Sequence, residues 1–168
     1  TVFGAGTVTL HSCLHITTKK KNRNPDMSLK DLKPAVLAVV RHQLEHTKVL
    51  VIDEVSMLTV GLLADVDERL RQIFDNNLVF GGISIVLVGD FQQLPPASGE
   101  SLYGGLIKEF EPEFSATDAR TARARMLYSR FYVKYLTHFK RALDPELVAL
   151  LKKLRNLSNT KPLTDGKL

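Results

Sequence analysis

Two short apolar runs constrain this chain more than any other feature. Val49-Leu50-Val51-Ile52 leads into Asp53-Glu54-Val55-Ser56-Met57, and Ile83-Ser84-Ile85-Val86-Leu87-Val88 leads into Gly89-Asp90-Phe91-Gln92-Gln93-Leu94-Pro95-Pro96. Continuous runs rich in β-branched residues suit strands buried on both faces, as in a parallel sheet covered by helices, although periodicity alone leaves a buried helix open. Between the runs, Leu62, Leu63, Val66, Leu70, Ile73 and Phe74 recur with helical period, and Asp65, Glu68, Arg69 and Arg71 take the other side. Strand, helix, strand is the order of a right-handed crossover in a parallel sheet, and Gly81-Gly82 breaks the chain before the second strand. The expected class is therefore α/β. In open α/β sheets ligands bind outside the strands' carboxyl ends, so the two polar clusters point to one shared site at that rim.

Asp53-Glu54 after a buried strand has the chemistry of a Mg-nucleotide site. One carboxylate holds Mg²⁺ through its water shell and the next orients or deprotonates an attacking water. Alone, the dipeptide reads equally as two solvated acids at a strand end. The second cluster adds a tight backbone exit at Gly89-Asp90, an amide donor at Gln93, and a stiff segment at Pro95-Pro96. A neutral donor beside a Mg²⁺-phosphate cluster suits a phosphate sensor.

Together, Asp53-Glu54-Val55-Ser56-Met57 and Gly89-Asp90-Phe91-Gln92-Gln93-Leu94-Pro95-Pro96 resemble motifs two and three of the Pif-one-type DNA helicases, superfamily-one enzymes that unwind from five-prime to three-prime. Phe80-Gly81-Gly82 before the second strand matches the same family. The resemblance implies a partial RecA-like P-loop NTPase domain, a parallel sheet flanked by helices, with Asp53 as the magnesium-binding acid, Glu54 as the catalytic base and second acid at the metal, and Gln93 as the γ-phosphate sensor beside Asp90. It implies ATP and Mg²⁺ as cofactors, and single-stranded and forked DNA as partners. Thr9-Leu10-His11-Ser12 resembles the family's motif one-a, which implies DNA contacts by Thr9, His11 and Ser12. From the residues alone, the same four read as a turn with a helix cap at Ser12. Leu136-Thr137-His138-Phe139-Lys140-Arg141 resembles motif four, which makes Arg141 the cation that reaches the nucleotide; Ala142 departs from the glutamine common there. The Arg/Ala-rich stretch and Asp144-Pro145-Glu146 resemble the branch carried by rolling-circle transposons.

The 168 residues are about one domain's worth, and 44% hydrophobic with 24% charged residues is ordinary for a globular protein. No apolar run approaches the roughly 20 residues that span a bilayer. The single Cys13 has no partner for an internal disulfide, which fits a reducing intracellular setting, with the nucleus expected first and the mitochondrion second. Net charge is +5 but uneven. Residues 118–155 hold ten Lys/Arg against three acids and the remainder nets −2, a distribution that fits phosphate contact and equally fits solvated helix faces. Lys19-Lys20-Lys21-Asn22-Arg23 forms the charged centre of a polar loop.

The remaining pattern places a helix over Lys33–His46 with Pro34 in its first turn, and helices over Leu102–Phe110 and Ala119–Tyr128. His42 and His46 fall one turn apart without a third ligand and read as surface residues. Phe131–Leu136 alternates as a strand. Asp144-Pro145-Glu146 starts a helix striped with Leu147, Leu150, Leu151 and Leu154. The expected organisation is a partial first motor domain over residues 1–130 and the junction to a second over 131–168. The phosphate cradle Gly-x-x-x-x-Gly-Lys-Ser/Thr does not occur in these residues. By the resemblance it would precede Thr1, and the late motor motifs would follow Leu168. The chain alone is then expected to bind nucleotide poorly and to unwind nothing. A non-catalytic module that keeps DNA or partner contacts is the alternative.

Overall fold

A computed structural model describes residues 7–17, 24, 28–107, 119–137 and 144–157. The chain divides into two compact units, Thr1–Phe131 and Tyr132–Leu168.

The first unit is assembled around one helix. Thr59 sits extended at φ −88°, and its hydroxyl accepts a hydrogen bond from the Leu62 amide, which caps the start of a helix over Val60–Phe74. Before it in the chain lie a short helix α1 (Leu10–Cys13), helix α2 (Pro34–Leu44) and strand β1 (Val49–Ile52); the central helix is α3, followed by strand β2 (Ser84–Leu87), helix α4 (Leu102–Ile107) and helix α5 (Ala119–Tyr128). Leu63, Val66 and Leu70 of α3 have no exposed surface, and around them pack Leu14, Leu29, Val40, Ile52, Phe80, Leu102 and Leu127. Each such side chain contributes roughly 1.5–3 kcal/mol on burial. Arg41 of α2 donates from Nε to the Ile73 carbonyl (2.7 Å) and from Nη2 to that of Gln72 (3.0 Å), which satisfies acceptors in the last turn of α3. Cys13 is half-buried, and burial pushes its thiol up, away from the reactive thiolate.

β1 and β2 pair in parallel, with Val49 opposite Ser84 and Ile52 opposite Leu87, and α3 provides the crossover. The expected burial on both faces is not what the strands show. Ile52 is buried and Leu50, Ile85 and Leu87 are half-buried on one face, while Val49 and Val51 are each 50% exposed and Val86 43% exposed on the other. Side chains alternate between faces along a strand, so a continuous apolar run has one row on each. Among the described residues only one of those rows meets the helical layer.

Four further expectations change. Asp65 and Arg69 belong to the interior, at 1% and 3% exposure, because α5 and the Leu29–Lys30 segment cover that side of α3. The cap of α1 is Thr9, whose hydroxyl accepts from the Ser12 amide, and not Ser12. Phe131–Leu136 is irregular, with Tyr132, Tyr135 and Leu136 at least 86% exposed; an alternating pattern makes a strand only where a neighbouring strand takes its backbone bonds. The last helix among the described residues, α6 (Pro145–Leu157), starts as expected, with Asp144 Oδ1 accepting from the Glu146 amide at 2.9 Å. Its stripe of Leu147, Leu150, Leu151 and Leu154, however, is exposed. His42 and His46 are solvent-facing, each imidazole near the Glu45 carboxylate.

Candidate nucleotide site

The parallel register ends both strands at one level, and the backbone then ties their exits together. The Val88 amide donates to the Ile52 carbonyl (2.8 Å) and the Val55 amide donates to the Val88 carbonyl (2.9 Å). Asp53 and Glu54 are thereby held in the span that this last bond closes. Both side chains are exposed. Gly89 passes directly over the same span: a Cβ there would lie 2.6 Å from the Val55 nitrogen, and its φ of 144° also favours glycine. This is the physical reason for Gly-Asp after the strand, since any side chain would push the two exits apart.

Within the acidic cluster, Asp53 Oδ1 accepts from the Glu54 amide at 2.8 Å. Glu54 has left-handed backbone, φ 57° and ψ 49°, and leads into a 3-10 turn over Val55–Met57. A residue with a Cβ in that region is strained, and such strain gathers at functional positions. The second cluster is a compact turn. Asp90 Oδ1 accepts from the Gln92 amide (3.0 Å) and the Asp90 carbonyl accepts from the Gln93 amide (3.0 Å), which leaves the exposed Gln93 side chain facing outward from a hydrogen-bonded backbone.

Asp53, Glu54, Asp90 and Gln93 thus share the rim. Among the described residues no group of three or more His, Cys, Asp or Glu could hold a metal ion by itself. The donor set fits Mg²⁺ in a different way, since that ion keeps several waters and is bound by one or two carboxylates together with substrate phosphates. Asp53 and Glu54 are the carboxylates that would hold it. His11 and Ser12 lie on α1 and Thr9 caps its start, with the Ile16 amide donating to the His11 carbonyl. Arg141 and the Lys19–Arg23 loop lie outside the described residues.

Sequence reasoning missed how the rim is braced. The Val60 amide donates to the Glu100 carbonyl (3.0 Å), the Leu102 amide to the Leu58 carbonyl (2.9 Å), and Thr59 bridges Ser101 in antiparallel fashion. It also missed a buried charge ladder. Arg120 donates from Nη2 to Asp65 (2.6 Å) and to the Gly61 carbonyl (3.0 Å), and Arg123 donates from Nε to Asp67 (2.7 Å). Asp67, fully buried, also accepts from Arg71 and from the Phe80 amide. Two arginines counted toward a nucleic-acid surface are therefore engaged with α3. The signal was a pair of acids two apart on one helix and a pair of arginines three apart on another, and nothing local announces that they meet.

The profile of the PIF1-like helicases matches residues 3–102. The chain belongs to the PIF1-like helicase family. Among curated relatives, the ATP-dependent DNA helicase PIF1 of Emericella nidulans is 36% identical over 148 residues, 88% of this chain and 18% of that protein. The ATP-dependent DNA helicase RRM3 of Saccharomyces cerevisiae is 44% identical over 68 residues, 40% of this chain and 9% of that protein. Among solved structures, Bacteroides Pif1 bound to single-stranded DNA matches 90% of this chain and 33% of its own, at 28% identity and a TM-score of 0.64. The chain thus spans less than a fifth of the first relative's length, and its fold is that of part of a RecA-like domain.

Proposed function

We propose that this chain supplies the magnesium and water-activating acids and the phosphate-sensing amide of an ATP-dependent DNA helicase that translocates from five-prime to three-prime. The observation that carries the reading is the joining of two strand exits by the Val55-to-Val88 bond, with Gly89 packed over the span, so that Asp53, Glu54, Asp90 and Gln93 share one edge of a parallel sheet. The names of the relatives support it.

In this reading Asp53 and Glu54 would hold the Mg²⁺ of Mg-ATP, which would neutralise charge on the phosphates when bound. Glu54 orients and accepts a proton from the attacking water, and Gln93 donates its amide to the γ-phosphate. Arg141 adds a planar cation there. Thr9, His11 and Ser12 contact the sugar-phosphate backbone of single-stranded DNA, as small hydroxyls and an imidazole are suited to do. Residues 1–130 then belong to a first motor domain and 131–168 lead into a second, and the protein works on nuclear DNA in repair, recombination or telomere maintenance.

The test is DNA-stimulated ATP hydrolysis by the full-length gene product, wild type against Glu54→Gln, and strand separation on forks with a five-prime or a three-prime tail. Turnover lost in the variant and unwinding from the five-prime tail support the reading. Turnover unchanged by Glu54→Gln sinks it, and DNA binding without any turnover points to a non-catalytic module. The 168-residue chain by itself is expected to hydrolyse no ATP.

A further inference from the structure

The turn that carries Gln93 is short, exposes Gln92 and Gln93, and includes two hydrogen bonds to Asp90. Exposed turns of that kind open readily in water unless a side chain anchors them. One does. Phe91 is half-buried against the core, and its outer side stacks on Tyr103 with ring centroids 5.5 Å apart and planes inclined by 26°. Tyr103 stands on a fixed mount: its neighbour Leu102 is 1% exposed and donates to the Leu58 carbonyl, Ser101 bridges Thr59, and the Gly104 amide donates to Ser101 Oγ at 2.9 Å. Leu58 and Thr59 belong to the segment that follows Glu54. Tyr103 as a residue is 52% exposed and lies outside the core cluster, so core packing does not account for its place.

We propose that Tyr103 is a positioning residue, which through its stack on Phe91 fixes the Asp90–Gln93 turn relative to the segment bearing Asp53 and Glu54. The inference rests on the nucleotide reading of Gln93 for its functional consequence, but the positioning itself is measurable without nucleotide. An offset aromatic pair limits how far Phe91 swings, and Phe91 lies between the residue whose oxygens close the turn and the amide side chain the turn presents. Stacking needs the ring and not the hydroxyl.

The experiment is amide hydrogen exchange in the full-length gene product, followed by mass spectrometry in the peptide covering Asp90–Pro95 and in a second peptide that contains Leu102, for wild type, Tyr103→Ala and Tyr103→Phe. Tyr103→Ala is expected to speed exchange of the Gln92 and Gln93 amides roughly 3- to 10-fold. Tyr103→Phe should stay near the wild-type rate, and the Leu102 amide, bonded to Leu58, should be unchanged in both. Unchanged exchange in Tyr103→Ala overturns the proposal, as does a Phe variant that exchanges as fast as the Ala variant. Acceleration that extends equally to the Leu102 amide also overturns it, because the ring would then be serving general packing. If the exchange result holds while Gln93→Ala leaves ATP turnover untouched, the nucleotide reading of Gln93 fails and the positioning stands.

Discussion

Asp53 with Glu54, and Asp65 with Asp67, are two pairs of carboxylates on one loop-and-helix segment, the first before the helix and the second in its middle, and the protein uses them in opposite ways. The first pair is exposed and takes a hydrogen bond from its own backbone. The second is buried and is answered by Arg120, Arg123, Arg71 and a backbone amide. Charge in the interior must be paired or its desolvation destabilises the fold, so the α3 pair is committed to structure. Asp53 and Glu54 are exposed at the sheet's rim, where a carboxylate stays hydrated. Two similar spellings therefore have different meanings, and the difference lies in what the tertiary structure places opposite them.

The largest effect belongs to Asp67. Asp67→Ala strands Arg123 and the Phe80 amide, and unfolding in urea should show a loss of about 3–5 kcal/mol. Asp67→Asn, which keeps one acceptor, should lose less. A wild-type-like denaturation midpoint for Asp67→Ala would mean that the buried pair carries no more than the exposed one. Next in size is Gly89→Ala, where a Cβ would fall 2.6 Å from the Val55 nitrogen. The expected cost is about 1–3 kcal/mol, with the Val55 amide losing its protection against exchange.

Glu54→Gly sharpens the contrast from the other side. It relieves a left-handed φ of 57° and should raise stability by up to about 1 kcal/mol while abolishing turnover in the proposed reading. A stability loss would show that the Glu54 side chain has a structural partner. The smallest effect belongs to Glu68. Burial pushes its carboxyl above the ordinary glutamate range, opposed by the Leu29 amide hydrogen bond and reinforced by Asp65. The folded state then holds the proton more tightly than the unfolded chain, so this group's contribution to stability falls as pH rises from the ordinary glutamate value through the folded one. Glu68→Gln should remove that slope, giving a variant that gains on wild type as pH rises through the window. A parallel pair of stability curves would exclude the effect.

Much of the rim was legible because its causes are local. An apolar run that stops at Asp53-Glu54 specifies where the strand ends, and Gly89 marks a backbone that admits no side chain. The start of α6 was equally plain, since Asp144 bonds the Glu146 amide two residues on. What stayed hidden depends on partners far along the chain. Helical period placed Asp65 and Arg69 opposite the leucines of α3, and polarity suggested solvent; only the arrival of α5 and the Leu29–Lys30 segment turned that side inward. The expected cap at Ser12 failed for a smaller reason, a choice between two hydroxyls three residues apart.

By itself the sequence determined the strand-helix-strand order, the acids and amide at the strand exits, and the resemblance to a helicase family, because each rests on residues adjacent in the chain. The tertiary structure decided which charges were paired, which face of the sheet was covered and that Phe91 met Tyr103. Those outcomes depend on which surfaces meet, and burial gives a charged or apolar side chain its energetic meaning only once its neighbour is in place.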